Sequence, residues 1–240
     1  MVKMNITKIK EEILIFCSQN RNEKNIIKYS RYFKGGLIGY GLDSGLIEMK
    51  SKEIIADHKL DIHNAYSLCK LLIPEREYEL PSFALLILNE YTREFTKETF
   101  TELNDWFSLG INNWAHTDGL VMYFFPELWK KEIIKLEDLS KWRTSKNKFQ
   151  RRCVPVAMIK YLKHSNDFNK LFDFIDCMMM DPEREVHQGL GWFLRECWKK
   201  DRNQTEAFLL KWKNDCARLI IQYATEKMSK EERLSFRREK

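Results

Sequence analysis

Apolar residues recur at spacings of three and four along most of the chain, which gathers them on one face of an α-helix. No run alternates convincingly with the two-residue period of a strand. The pattern predicts helices over 5–19, 22–33, 44–57, 62–72, 81–95, 97–109, 113–124, 127–133, 148–163, 167–179, 182–199, 204–225 and 230–238. Several starts are marked locally. Asp181-Pro182 offers an N-cap followed by proline at the first helical position. Ser229-x-x-Glu232 reads as a capping box, Asn203-x-x-Glu206 opens a helix in the same way, and Leu80-Pro81 begins a strongly apolar one. The clear break is Gly35 to Gly41, with glycines at 35, 36, 39 and 41, which reads as a flexible loop. No Lys-Ser/Thr follows it, so it lacks the pattern of a P-loop phosphate cradle.

A weak repeat runs through the second half. Arg152 follows Asp118 by 34 residues, and His187 follows Arg152 by 35. In a stack of helical pairs, equivalent positions on successive inner helices line one surface at such a period. Asp181-Pro-x-x-x-Val186, followed by Leu190 and Trp192, resembles the second helix of a HEAT-type repeat. The expected fold is therefore all-α: a HEAT-like helical-repeat solenoid, or α–α superhelix, with a basic concave face. A single domain over 1–240 is expected, with N-terminal helical pairs in 1–110, site-bearing repeats in 111–200 and a C-terminal cap in 201–240.

Composition narrows this further. Only 9 Gly and 5 Pro occur among 240 residues, too few for the turns of an all-β protein of this length. No apolar run is long enough to span a bilayer, and the stretch Met1 to Glu12 is charged and lacks the apolar segment of a signal peptide. A cytoplasmic protein is expected. Cys17, Cys69, Cys153, Cys177, Cys197 and Cys216 form no C-x-x-C pair, so buried, reduced thiols are expected and no metal site is. The net charge of +6 is unevenly distributed. Residues 127–170 hold 12 Lys/Arg against 5 Asp/Glu, a balance of +7 that leaves −1 for the rest. A local site for a polyanion fits this better than a generally basic surface.

Four groups of residues stand out chemically. In Asn113-Trp114-Ala115-His116-Thr117-Asp118, the indole and the carboxylate lie four apart and share a helix face. They form either a buried Trp beside a solvated Asp, or a site where ring face and carboxylate both attract a cation. The stretch from Trp142 to Arg152 brings Arg143, Lys146, Lys148, Arg151 and Arg152 together with hydroxyls at a helix start, which suits phosphates but also suits a solvated basic face. Gly189 and Gly191 immediately precede Trp192, and permit either close helix packing or close approach of a ligand. His116 and His187 are structural or catalytic histidines. No Ser–His–Asp or Cys–His set can be assembled.

Taken together, the chain resembles the AlkD-like, HEAT-repeat DNA alkylation repair family. The resemblance is carried by Asn113-Trp114…Asp118, by Trp142-Arg143-Thr-Ser-x-Asn147 with Arg151-Arg152, and by Asp181-Pro-Glu-x-Glu-Val186 with Gly191-Trp192-x-Leu194-Arg195-Glu196. Tyr29-Ser-Arg-Tyr32-Phe33-Lys34 and Tyr40-Gly41-Leu42 look like its N-terminal signature. The resemblance implies a DNA glycosylase that removes positively charged N3- or N7-alkylated purines from double-stranded DNA without metal or cofactor. It implies no membrane or obligate protein partner, and association with the nucleoid when DNA is bound. Asp118, Trp114 and Trp192 would be catalytic; Arg152, Arg151, Lys148, Lys146 and Arg143 would bind DNA. Arg152 is preferred over Arg151 because it keeps the repeat spacing. Many family members carry an acidic residue where this chain has Ala115, and the alternative is a non-catalytic HEAT-like scaffold that binds DNA or protein.

Overall fold

A computed structural model describes residues 5–239; the first four residues of the stretch read for a leader, and the last residue of the expected cap, lie outside it. Every regular element among the described residues is helical, as the apolar spacing predicts. The chain divides into two compact units on either side of the Ile111–Asn112 link.

The first unit contains α1 (Ile6–Gln19), α2 (Glu23–Ser30), α3 (Ser44–His58), α4 (Ile62–Leu72), α5 (Glu79–Asn89) and α6 (Lys97–Leu109), with a 3₁₀ turn over Thr92–Glu94. Short Asn and Asp side chains start most of them: Asn5, Asn22, Asp43 and Asp61 each accept a hydrogen bond from the backbone N–H three residues on. Such caps contribute about 0.5–2 kcal/mol each. α5 is buried from Glu79 to Leu88 and packs on α3 and α4, with α1 against α4. Ile9, Ile13, Ile54, Leu68, Leu72, Phe83 and Ile87 form its core.

The loop over Gly35–Gly41 is fastened. Glu79, wholly buried, accepts from the backbone N–H of Tyr40 (2.9 Å), Gly41 (2.7 Å) and Leu42 (3.2 Å). A Cβ on Gly39 would stand 2.4 Å from the Glu79 carboxylate, so glycine is required for the approach. Gly41 adopts φ +78° with its Cα against the Asn22 carbonyl. The end of the loop is thus tied to the fold, and its backbone donors at residues 40–42 hold the chain's own carboxylate.

The second unit contains α7 (Trp114–Lys130), α8 (Lys148–Tyr161), α9 (Phe168–Asp176), α10 (Arg184–Trp198), α11 (Arg202–Trp212) and α12 (Arg218–Ala224), with 3₁₀ segments at Leu136–Thr144 and Glu232–Phe236. α7 packs on α8, α8 on α10, and α10 on α12, so every second element stacks on the next. α9 and α11 meet elsewhere through the stacked rings of Phe172 and Phe208, 4.6 Å apart. The pairings recur at the repeat period: Arg152 with Asp118 across 34 residues, Gln188 with Tyr223 across 35. Gly191 makes the close approach of α10 and α12 possible, because a Cβ there would lie 2.4 Å from the Tyr223 Cβ.

Some boundaries differ from prediction. The break expected between 124 and 127 is absent: α7 runs through Pro126, held on both sides by buried Phe124, Phe125, Leu128 and Trp129. The helix expected over 204–225 is two, separated by the polar turn Lys213-Asn214-Asp215, and Asp201 rather than Asn203 caps the first. Asp181 does not cap a helix starting at Pro182; α10 begins at Arg184, and Asp181 accepts from the Glu183 N–H at 2.9 Å. The Ser229–Glu232 box forms, but it opens only a 3₁₀ turn.

Candidate active site

The site grows from the first turn of α7. The Asn113 side chain accepts from the His116 N–H at 2.9 Å, and its Nδ2 lies 2.7 Å from the His116 Nδ1. The Thr117 hydroxyl closes the turn on the Asn113 carbonyl at 2.8 Å. His116 is buried and used in this way, so it is a structural histidine. With the turn fixed, Trp114 and Asp118 share one helix face. The indole is 39% exposed and the Asp118 side chain 15%.

Asn147 starts α8 by accepting from the Phe149 N–H at 2.8 Å, which places Arg152 one turn into the helix. Its guanidinium grips Asp118 with both prongs: Nε donates to Oδ1 at 2.9 Å and Nη2 to Oδ2 at 2.7 Å. Nη1 donates to the Glu185 carbonyl, at the start of α10, at 2.7 Å. One buried arginine thus ties α7, α8 and α10 together. Gly189 allows this, since a Cβ there would meet Pro155 Cγ at 3.2 Å and Arg152 Cγ at 3.4 Å. Of the two readings of the glycine pair, helix packing accounts for both positions. Trp192, half-buried, lies on α10 three residues after Gly189.

Burial pushes the Asp118 carboxyl above the ordinary aspartate value, and the hydrogen bonds and charge of Arg152 oppose that push. The carboxylate is therefore fixed by Arg152 and partly desolvated, with 15% of the side chain exposed. The adjacent Cys153 thiol is buried and pushed well above its ordinary value, first by burial and then by Asp118, so it is no nucleophile at neutral pH. Five cysteines are buried as expected, but Cys177 is exposed, and all six are free.

The five expected DNA-binding cations meet different fates. Arg151 is paired with Asp181 (Nε–Oδ2 2.6 Å) and donates to the Ser145 carbonyl at 2.7 Å. Lys148 bridges Glu183 at 3.3 Å and Glu185 at 2.9 Å, and its pKa is raised by the hydrogen bond to Glu185. Arg143 donates to the Phe174 carbonyl at 2.8 Å and lies over the Phe174 ring. Lys146 is exposed and forms no ion pair among the described residues. The picture of Arg152 as a free phosphate ligand does not fit its burial; its charge is spent on Asp118. His187 contacts the Asp181 carbonyl.

The +7 window therefore overstates the free charge. Asp118, Asp181, Glu183 and Glu185 all lie outside 127–170, and they pair with Arg152, Arg151 and Lys148. Sequence reasoning misses these acids as partners, although the repeat spacing that links Asp118 to Arg152 also places Asp181–Glu185 opposite Lys148–Arg152.

The stacked helices of the second unit define a helical-repeat protein. The profile of the family described as DNA alkylation repair enzyme matches residues 18–228, and the chain belongs to that family. A solved structure titled a predicted DNA alkylation repair enzyme from Enterococcus faecalis superimposes with a TM-score of 0.74 at 16% identity, covering 88% of this chain and 98% of that one. The protein smu.31 from Streptococcus mutans UA159 gives 0.56 at 22% identity, over 77% and 90% of the two chains. AlkD2 from Streptococcus mutans gives 0.56 at 20% identity, over 85% and 97%. No curated protein matches the sequence. Family membership gives the chain a role in DNA alkylation repair. No helix among the described residues is long and apolar enough to cross a membrane.

Proposed function

We propose that the protein is a DNA glycosylase that hydrolyses the N-glycosidic bond of positively charged N3- or N7-alkylated purines. The observation that carries this is a carboxylate, Asp118, clamped by Arg152 yet still 15% exposed, on the same helix face as an exposed indole. When the C1′–N bond breaks, its electron pair leaves with the purine and neutralises the purine's charge, so no general acid is needed. Positive charge develops on the deoxyribose. Asp118 faces that charge, and it orients a water that adds to C1′ and releases its proton to solvent, leaving an abasic site. A preorganised charge in a partly desolvated site stabilises such a transition state strongly. Trp114 and Trp192 pack against sugar and cationic base and add cation–π attraction. Arg152 acts as a positioning residue rather than as a phosphate ligand.

The test is release of base from duplex DNA containing 7-methylguanine. Release by the wild-type protein that drops to background in Asp118→Asn supports the reading; equal release by both would sink it. Ala115, beside Trp114, favours a second reading: a scaffold that binds DNA without cutting the glycosidic bond. Salt-dependent DNA binding with no base release would select that one.

A further inference from the structure

The far end of the second unit carries a different charge arrangement. A surface cavity of about 360 Å³ is lined by Arg218, Lys230, Glu231, Arg233, Leu234 and Arg237. Four of the six are cations and one is an acid, a balance of +3. Around Arg151 and Arg152 the cations are neutralised by carboxylates; here they are not. Arg218 Nη1 donates to the Phe236 carbonyl at 2.8 Å, and Arg233 Nε to the Met228 carbonyl at 3.0 Å. A carbonyl fixes a guanidinium without cancelling its charge, and each guanidinium keeps further N–H donors for an outside acceptor. Among the described residues, none of Arg218, Lys230, Arg233 and Arg237 forms an ion pair. Glu231 is occupied locally: its own backbone N–H and the Ser229 hydroxyl hold its carboxyl below the ordinary value.

We propose that this cavity is a phosphate-binding subsite that takes adjacent phosphates of a polyphosphate or phosphodiester chain. Planar arginine forks match phosphate oxygens, and several unneutralised cations around one cavity suit a multiply charged anion. Leu234, 52% exposed, supplies an apolar wall for a sugar face. The phosphates of DNA are the favoured source, which rests on DNA being the substrate; a free oligophosphate is the other source of the same chemistry.

The test uses the Lys230→Gln/Arg237→Gln double variant of the full chain, because both side chains are exposed and neither is tied to a backbone carbonyl. On undamaged duplex DNA, the slope of log affinity against log salt becomes shallower by about 0.9 for each phosphate left without its cation, about 1.8 for both. The melting temperature without ligand stays at the wild-type value. In a second arm, inorganic tripolyphosphate is added in a thermal-shift assay. A rise in melting temperature in the wild type that the variant lacks, with an unchanged DNA slope, assigns the subsite to a small phosphate. An unchanged DNA slope together with an unchanged tripolyphosphate response overturns the proposal. A wild-type protein that releases no base, but whose DNA slope depends on Lys230 and Arg237, keeps the subsite and loses the glycosylase.

Discussion

Two carboxylates, one in each unit, are held in opposite ways. Glu79 is wholly buried and accepts three backbone N–H groups from residues 40–42. Asp118 is held by one guanidinium, and 15% of its side chain remains exposed. Backbone donors surround Glu79 on a loop that Gly39 lets approach, so no oxygen is left for a ligand. Arg152 engages both oxygens of Asp118, and part of that side chain stays exposed. The first arrangement closes a loop, and the second presents a fixed charge to whatever docks beside Trp114. The proposed role of Asp118 therefore rests on its partner being a single side chain and on its residual exposure, not on burial alone.

The largest effect expected is structural. Glu79→Ala strands three backbone donors, each costing about 1–3 kcal/mol when left without an acceptor. A loss of about 3 kcal/mol or more is expected, read as a fall in melting temperature of roughly 6–12 °C. Base release per folded molecule should stay at the wild-type rate, and a specific loss of release at full folding would erase the distinction between the two acids. Asp118→Asn also lowers the melting temperature, because Arg152 loses its charged partner, but unlike Glu79→Ala it should cut base release per folded molecule. Base release falls about 100- to 1000-fold, the size of effect seen when one preorganised electrostatic group is removed from an active site. Single-turnover kinetics with excess protein would check it, and a variant that merely melts earlier would reassign Asp118 to the structural class.

Arg152→Gln sharpens the comparison through pH. Asp118 must be ionised to face a cation. Burial already raises its carboxyl, so activity fails on the acid side at a higher pH than an ordinary aspartate would dictate. Removing Arg152 removes the charge and hydrogen bonds that oppose burial, and the pKa rises further. The acid limb of base release should therefore move to higher pH in the variant, with partial recovery as pH increases. An acid limb that stays in place would mean that Asp118 is not the group titrating. The measurement belongs well below the melting temperature, because breaking a buried pair costs about 3–5 kcal/mol.

Much of this was legible in the sequence. Apolar spacing marks the helices because burial on one face selects them, and the 34-residue step from Asp118 to Arg152 joins two side chains that touch. Boundaries were less legible where tertiary burial overrides a local breaker, as at Pro126 in α7. The role of Arg152 was not legible, because a window count of charge is blind to partners outside the window. The Glu79 latch was hidden for a related reason: one of three glutamates closely spaced before Leu80-Pro81 shows no local link to glycines about 40 residues earlier, and only the fold brings them together.

The smallest effects separate free from neutralised cations within the second unit. Lys146 is exposed with no ion pair among the described residues, whereas Arg151 is locked to Asp181 with side chains 12% and 5% exposed. Lys146→Gln should leave the melting temperature alone and make the salt slope of DNA binding shallower by about 0.9 if Lys146 meets one phosphate. Arg151→Gln should do the opposite, leaving the slope unchanged and lowering the melting temperature, since Asp181 loses its buried partner. Parallel salt titrations and thermal melts on the two variants check both halves. A shallower slope in Arg151→Gln would show that the Asp181 pair opens on DNA, and would restore to this arginine the phosphate contact that its geometry in the free protein withholds.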